Sequence, residues 1–256
     1  MRFTLSSTAL SSKLGALSRV INSKNSLPIL SDFVFEIENN ILHLTASDSE
    51  NMMKTTMELI DSDGNGTFAV GNHDLLEAVK GFSEQPITFD VNLQENIAKI
   101  SYQNGMFSLP VESADEFPKA QEIGHGAHTI TISNGLLADN INRSLFATAQ
   151  DELRPVMNGI YFDLKSDCLS IVASDGHKLV RNNVLTIKSD TPASFIMPKK
   201  PATLLKNLLG KDGGDVTIRF DERNAEINYG DGIITCRLIE GRYPNYNSVI
   251  PQSNPN

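Results

Sequence analysis

The stretch Leu42-His43-Leu44-Thr45-Ala46-Ser47-Asp48 returns 127 positions later as Leu169-Ser170-Ile171-Val172-Ala173-Ser174-Asp175. On either side of this stretch, the same offset aligns Phe35 with Phe162 and Phe68 with Phe195. The second copy then lacks one residue, so that Phe117-Pro118 aligns with Tyr243-Pro244. A self-match of this size is typical of one structural unit used more than once. We therefore predict two domains, residues 1–124 and residues 129–251, followed by a linker that begins at 252–256.

Apolar spacing within each copy predicts the secondary structure. Leu10, Leu14, Leu17 and Ile21 follow at spacings of four, three and four, which predicts one apolar stripe on a helix. Asn39-Asn40 stands between two alternating apolar runs and predicts a hairpin turn. Further helices are expected at 75–82, 134–149 and 200–209. Because predicted strands far outnumber these helices, we expect an α+β fold, with helices on one face of antiparallel sheets.

Amino-acid composition limits the classes of protein to which the chain can belong. The chain has 256 residues, a hydrophobic fraction of 40% and a formal net charge of −9, which taken alone disfavours tight nucleic-acid binding through a general basic field. Cys168 and Cys236 are the two cysteines, so a disulfide scaffold is not expected and a reducing compartment is favoured. Neither a signal-peptide pattern nor a membrane-length apolar run is present, and we expect a cytoplasmic protein without membrane contact.

Two short motifs resemble metal sites. Asp61-Ser62-Asp63-Gly64-Asn65-Gly66-Thr67 imitates the start of a calcium loop, but Asn72 stands where the loop needs a carboxylate, so a polar turn is favoured. His125 and His128 lie in a glycine-rich joint without acidic or thiol neighbours, which favours a linker over a ligand pair. We predict no metal and no cofactor.

Catalysis is also disfavoured. Ser174, Asp175 and His177 have the residue types of a hydrolytic triad, but such side chains are normally brought together from separate segments rather than from one turn. The chain contains neither a nucleophile elbow nor a glycine-rich phosphate loop. The sequence therefore predicts a protein that is not an enzyme.

Basic residues recur on the predicted helices. Lys13 flanks the apolar stripe of the first helix, and the others point away from the apolar residues of their helices. A solvated face is the favoured interpretation, and a shared surface that meets phosphates without reading bases is the alternative. The residues are Lys13, Arg19, Lys80, Arg143, Lys199 and Lys206.

Four spaced motifs resemble those of the bacterial DNA sliding clamp, the β subunit of the replicative polymerase III. They are Leu27-Pro28-Ile29-Leu30, Asn158-Gly159, Ser174-Asp175-Gly176-His177-Lys178-Leu179 and Gly241-Arg242-Tyr243-Pro244-Asn245-Tyr246. The resemblance implies tandem DNA-clamp domains, each a duplicated β-α-β-β-β unit with helices on the inner face. It also implies three such domains in a full-length subunit, of which this chain resembles the first two, and a homodimer that closes around duplex DNA.

The function implied by this resemblance is that of a processivity factor. Such a protein encircles duplex DNA without sequence specificity and tethers DNA polymerase III, clamp-loader subunits and other proteins that carry a clamp-binding motif. The basic residues above would then face the DNA. A duplicated peptide-binding scaffold without a DNA role is the alternative. The implied lining of the partner-peptide pocket is Arg154, Met157, Ser174, Gly176, His177, Lys178, Leu179, Pro244 and Val249.

The resemblance also implies a subunit interface on a late strand of the first copy. Phe107 and Leu109 alternate along that strand. They either meet the partner subunit or face their own domain's core, and the sequence leaves both interpretations open.

Overall fold

The computed structural model describes residues 1–210, 213–251 and 253. The chain folds into two compact units, Met1–Ala120 with Asp231–Thr235, and Gln121–Gly230 with Cys236–Asn256. Residues 125–128, which lie between the two predicted domains, fall near the start of the second unit. Of the predicted linker, residues 252 and 254–256 lie outside the described residues.

Residues 1–120, the main part of the first unit, are all described and contain nine strands and two α-helices. Their bounds are β1 (Arg2–Ser6), α1 (Ser7–Leu17), β2 (Asp32–Glu38), β3 (Ile41–Ser47), β4 (Asn51–Glu58), β5 (Asp61–Ser62), β6 (Gly66–Gly71), α2 (Asn72–Lys80), β7 (Pro86–Asn92), β8 (Ile97–Tyr102) and β9 (Gly105–Glu112).

The remaining elements repeat this order, except that none of the described elements corresponds to β5. Their bounds are β10 (His128–Ser133), α3 (Asn134–Leu145), β11 (Gly159–Leu164), β12 (Leu169–Ser174), β13 (Leu179–Val184), β14 (Ala193–Pro198), α4 (Lys199–Leu208), β15 (Asp215–Phe220), β16 (Asn224–Tyr229) and β17 (Gly232–Arg237). In the part of the chain that the structure describes, short 3-10 helices also cover Pro28–Ser31, Pro155–Asn158 and Tyr246–Val249.

The strand registers repeat as the sequence does. In the first unit Phe35 on β2 pairs with Leu44 on β3 and with Phe68 on β6. In the second unit Phe162 on β11 pairs with Ile171 on β12 and with Phe195 on β14. Every one of these partners is displaced by 127 positions, so the two copies share their antiparallel pairing residue by residue.

Aromatic rings fill the core of each unit at corresponding places. The Phe35 and Phe68 rings stack with centroids 5.1 Å apart, and the Phe162 and Phe195 rings stack at 4.6 Å. All four side chains are buried. Such offset stacking adds specificity to the burial of apolar area that stabilises each core.

Helix α1 is shorter than its apolar spacing predicts. It begins after Ser6, whose side chain accepts a hydrogen bond from the Ala9 amide, and it ends at Leu17. Beyond that end the chain turns, so Val20 is buried and Ile21 is only half-buried. The prediction of a helix reaching Ile21 is therefore wrong, because the apolar spacing continues through a turn that packs a different residue inward.

The other local predictions differ from the structure mainly at element ends. Asn39 and Asn40 both adopt positive φ, 50° and 64°, as a two-residue hairpin turn between twisted strands requires. Helix α3 ends at Leu145 rather than near residue 149, and α2 ends before Phe82.

Candidate functional site

The turn after β12 is held by its own side chains. Ser174 Oγ accepts a hydrogen bond from the Gly176 amide at 3.1 Å and donates one to the Lys178 carbonyl at 2.9 Å. Asp175 Oδ1 accepts from the His177 and Lys178 amides, both at 2.9 Å. These donors, the Lys178 amide foremost, lower the pKa of Asp175 to about 2. The carboxylate therefore stays ionised and the turn keeps its shape at neutral pH.

The first unit builds the same turn at the matching position. Ser47 Oγ accepts from the Ser49 amide at 3.1 Å and donates to the Asn51 carbonyl at 2.9 Å, while Asp48 Oδ1 accepts from the amides of residues 50 and 51. Ser49 adopts φ +78°, where the second unit has Gly176 at +91°. The scaffold is thus duplicated, and only the side chains that it presents differ.

In the second unit, a pocket of about 270 Å³ lies between this turn and residues 243–249, which include the 3-10 helix Tyr246–Val249. Its walls are largely apolar, with polar groups at the turn. The lining residues are Met157, Ser174, Gly176, His177, Lys178, Leu179, Tyr243, Pro244, Asn245, Tyr246 and Val249. Eight of the nine pocket residues expected from the sequence are therefore brought together in one cavity.

Arg154 is the exception. It lines an adjoining cavity of about 580 Å³ that shares His177, and its Nε forms an ion pair with Asp151 Oδ2 at 2.7 Å. A Cβ placed on Gly176 would lie 2.9 Å from Arg154 Nη1. Arg154 therefore packs against the turn from the adjoining cavity, outside the pocket.

Three lining residues were missed by sequence reasoning, namely Tyr243, Asn245 and Tyr246. All three belong to the quoted segment 241–246, from which only Pro244 was assigned to the pocket. The Tyr243 ring stacks on Tyr161 with centroids 4.6 Å apart, and burial raises the pKa of Tyr243 to about 12. The available signal was the pair of tyrosines in a segment that otherwise consists of turn residues.

The predicted DNA-facing residues lie on the helices, with one exception. Helix α1 packs on α2, and α3 packs on α4. Lys13 and Lys80 lie on the first pair, and Arg143, Lys199 and Lys206 lie on the second. Arg19 lies in the turn beyond the end of α1, so its predicted placement on that helix is wrong.

The surroundings of these cations differ. Lys13 Nζ donates to Thr55 Oγ1 at 3.1 Å and forms an ion pair with Asp231, which is counted with the first unit. Lys80 forms an ion pair with Glu77 at 2.7 Å. Arg143 and Lys206 are exposed and form no ion pair within the described part of the chain. Arg19, in the turn beyond α1, is exposed without an ion pair in the described structure as well. Among the exposed cations that lie on helices, Arg143 and Lys206 are therefore the least neutralised.

Strand β9 has an open backbone edge. It pairs with β8 from Gly105 to Pro110, but on its other side it meets β6 only through Val111 and Glu112. Residues 105–110 thus leave one edge without a strand partner in the described structure. Phe107 and Leu109 are half-buried, and the Phe107 ring lies 6.2 Å, centroid to centroid, from the rings of Phe82 and Tyr102.

No three His, Cys, Asp or Glu side chains come together as a possible metal site in residues 1–210, 213–251 and 253. No helix in this part of the chain is long and apolar enough to cross a membrane.

Family models match both units. The N-terminal domain of the DNA polymerase III beta subunit matches residues 1–121, and the central domain of the same subunit matches residues 131–245. The chain belongs to the DNA polymerase III beta subunit family. This confirms the resemblance expected from the four sequence motifs.

Individual relatives agree with this assignment. The beta sliding clamp of Pseudomonas aeruginosa is 28% identical over 253 residues, which cover 98% of this chain and 68% of that protein. The beta sliding clamp of Escherichia coli K12 is 27% identical over 255 residues, covering 99% and 69%. The chain therefore spans about two thirds of each of these clamps.

Solved beta subunits have the same fold. The DNA polymerase III beta subunit of P. aeruginosa superposes with a TM-score of 0.92 at 28% identity, over 99% of this chain and 69% of that one. A P. aeruginosa clamp bound to griselimycin gives the same TM-score and identity, over 99% and 68%. The predicted α+β clamp fold is confirmed. Since beta subunits are processivity factors without enzymatic activity, the prediction of a non-enzyme is confirmed as well.

Proposed function

We propose that this chain acts as part of a sliding clamp in the cytoplasm, where it encircles duplex DNA and tethers the replicative polymerase, the clamp loader and other partners through the pocket beside Ser174–Leu179. The observation that carries the proposal is the pocket itself. Both units build the same turn, yet the second presents Gly176, His177 and Leu179 to a cavity lined by tyrosines.

The pocket suits a short peptide with one or two apolar anchor side chains. Its volume of about 270 Å³ accommodates side chains of leucine or phenylalanine size rather than a folded surface. Leu179 and the Tyr243 ring supply apolar walls, and Lys178 stands at the rim, where it pairs with Asp175 at 3.3 Å. A desolvated apolar socket with a polar rim is the arrangement in which a few anchors carry most of the binding energy.

Contact with DNA is proposed for the basic helix surfaces, with Arg143 and Lys206 as the strongest candidates. Enclosure allows each phosphate contact to stay weak, so that the clamp slides. A net charge of −9 is compatible with this arrangement because holding DNA by topology does not need a basic total. The open edge of β9, with Phe107 and Leu109 beside it, is the proposed pairing edge for a partner subunit in the full-length homodimer.

The peptide site is tested with a fluorescent peptide that carries a Q-x-x-L-F sequence. We expect Leu179→Ala to weaken binding by about tenfold or more, as loss of an interface anchor does. Met52→Ala changes the matching position of the first unit and serves as the control. Equal affinity of both variants and the unchanged protein would contradict the proposed pocket.

The DNA role is tested separately, with a full-length clamp that contains this chain, loaded by its clamp loader on circular duplex. We expect retention on the circle and release once the DNA is cut. Substituting Glu for both Arg143 and Lys206 reverses their charge and should lower loading onto DNA. Lys188→Glu, which reverses the charge of an exposed lysine outside the helices, is the control. A protein that binds the peptide but is held no better by circular than by linear DNA would be a peptide-binding scaffold.

A further inference from the structure

The wall of the pocket formed by Tyr246–Val249 has few interactions of its own. It is a single 3-10 turn. Internally, the Ser248 amide and hydroxyl donate to the Asn245 carbonyl at 3.3 and 2.7 Å, and the Ile250 amide donates to the Asn247 carbonyl at 3.4 Å. From β13, Arg181 Nη1 donates to Asn247 Oδ1 at 3.2 Å. Tyr246 is the buried residue of this turn, and Val249 is 67% exposed. Besides the exposed hydrogen bond from Arg181, the place of the wall therefore depends on how the buried Tyr246 side chain is held.

The Tyr246 hydroxyl is held by two charged groups near the end of β11. Lys165 Nζ donates to Tyr246 Oη at 2.6 Å, and Tyr246 Oη donates to Asp163 Oδ2 at 2.7 Å. Lys165 Nζ also pairs with Asp163 Oδ2 at 2.9 Å. The three groups form a closed triangle in which the hydroxyl has both a donor and an acceptor. Hydrogen bonds to charged groups are stronger than neutral ones, so this triangle fixes the ring.

The ring itself is fixed by its neighbours. It packs edge-on to Tyr161 with centroids 6.3 Å apart, in a cluster with Val172, Ile196 and Tyr243. Leu179, which lines the pocket, packs against the same cluster. The hydroxyl triangle is thus joined through one rigid ring to the apolar surface that a peptide would touch.

The first unit lacks this arrangement although it repeats the fold. At the matching positions, Asp163 and Lys165 are replaced by Glu36 and Glu38, and Tyr246 by Ala120. Two acidic residues and a methyl group cannot form the triangle. The network therefore occurs in the unit that has the pocket, and the shared scaffold does not require it.

We propose that Asp163 and Lys165 are positioning residues for partner binding, which hold the Tyr246 wall open and in place so that the pocket is formed before a peptide arrives. The inference rests on the proposed peptide site. Pre-formed sites bind more tightly because less ordering remains to be done on association. Without the triangle the hydroxyl loses its partners, and the turn that carries Val249 loses its anchor.

A double-mutant cycle on peptide affinity tests this. Asp163→Asn and Tyr246→Phe should each raise the Kd of the fluorescent Q-x-x-L-F peptide about five- to tenfold, in the range that a lost hydrogen bond to a charged group produces. Together they should cost little more than Tyr246→Phe alone, because Asp163→Asn takes the charge from the same hydrogen bond whose donor Tyr246→Phe removes. Lys165→Met should weaken binding, and Lys165→Arg should restore most of it. Glu36→Gln is the matched control in the first unit.

Hydrogen exchange supplies a readout that does not depend on the peptide. In Asp163→Asn without peptide, amides of 245–250 should exchange faster while those of β12 keep their protection. The inference is overturned if Asp163→Asn keeps a Kd within twofold of the unchanged protein, or if the two substitutions are additive. The proposed function fails instead if the unchanged protein does not bind, or if Leu179→Ala binds equally well.

Discussion

Replacing Asp32 by Asn should stabilise the first unit at alkaline pH. Asp32 begins β2, and Glu112 ends β9; strand β6 lies between them, with Gly71 opposite Asp32 and Ala69 opposite Glu112. Burial, with the hydrogen bond and charge of Glu112, raises the pKa of Asp32 from 3.8 to about 7. A shift of about three units corresponds to about 4 kcal/mol. Because Asp32 is only half-buried, solvent screening reduces this to about 2 kcal/mol.

The sign follows from proton binding. Between about pH 4 and pH 7 the folded protein holds a proton on Asp32 that the unfolded chain has released, so the stability contributed by this group is present at low pH and is lost as the pH rises. Asn cannot ionise and avoids the penalty. Asp32→Asn should therefore exceed the unchanged protein in free energy of unfolding by about 2 kcal/mol at pH 8 and by less than about 1 kcal/mol at pH 5.

Urea unfolding followed by circular dichroism measures both values, and hydrogen exchange of peptides from β2 and β9 assigns the change to the first unit. Asp90→Asn, at an exposed position on β7, is the control and should leave stability unchanged at both pH values. The reasoning is refuted if Asp32→Asn gives no gain at pH 8, or if its gain is the same at pH 5.

Three shorter predictions concern the second unit and its counterpart. Gly176→Ala should lower the stability of the second unit by about 1–2 kcal/mol and weaken peptide binding, because φ +91° strains any residue with a Cβ. For the same reason Ser49→Gly should stabilise the first unit. Urea unfolding measures both changes in stability. Tyr243→Phe should change thermal stability by less than about 1 kcal/mol, since the ring still stacks on Tyr161 and the buried hydroxyl meets only the backbone of Ser174 in the described structure; a marked fall in Tm would contradict this. Burial raises the pKa of the Cys236 thiol to about 12, so this thiol should resist alkylation at pH 8 until urea unfolds the protein, as mass spectrometry can follow.

Much of the fold could be predicted because its signals are local or repeated. Side chains alternate along a strand and recur every three to four residues along a helix, so Phe33–Ile37 and Leu75–Val79 reveal their elements without any partner. The repeat gives the number of copies, since equivalent residues in both units meet equivalent neighbours. The end of α1 could not be read in this way, because the apolar spacing runs on into a turn and only packing decides that Val20, not Ile21, is buried.

The sequence by itself determined the duplicated unit and the turn at Ser174–Leu179, because both depend on residues that are close in the chain or repeated at a constant offset. Tertiary structure alone decided that Tyr246 closes the pocket, that its hydroxyl meets Asp163 and Lys165 more than 80 positions away, and that Arg154 lies outside the cavity. These contacts depend on how β11 and the 3-10 turn are brought together by packing. The pattern of side chains within each segment does not indicate which distant segment it will contact. The partners of a buried polar group are therefore known only from the folded structure.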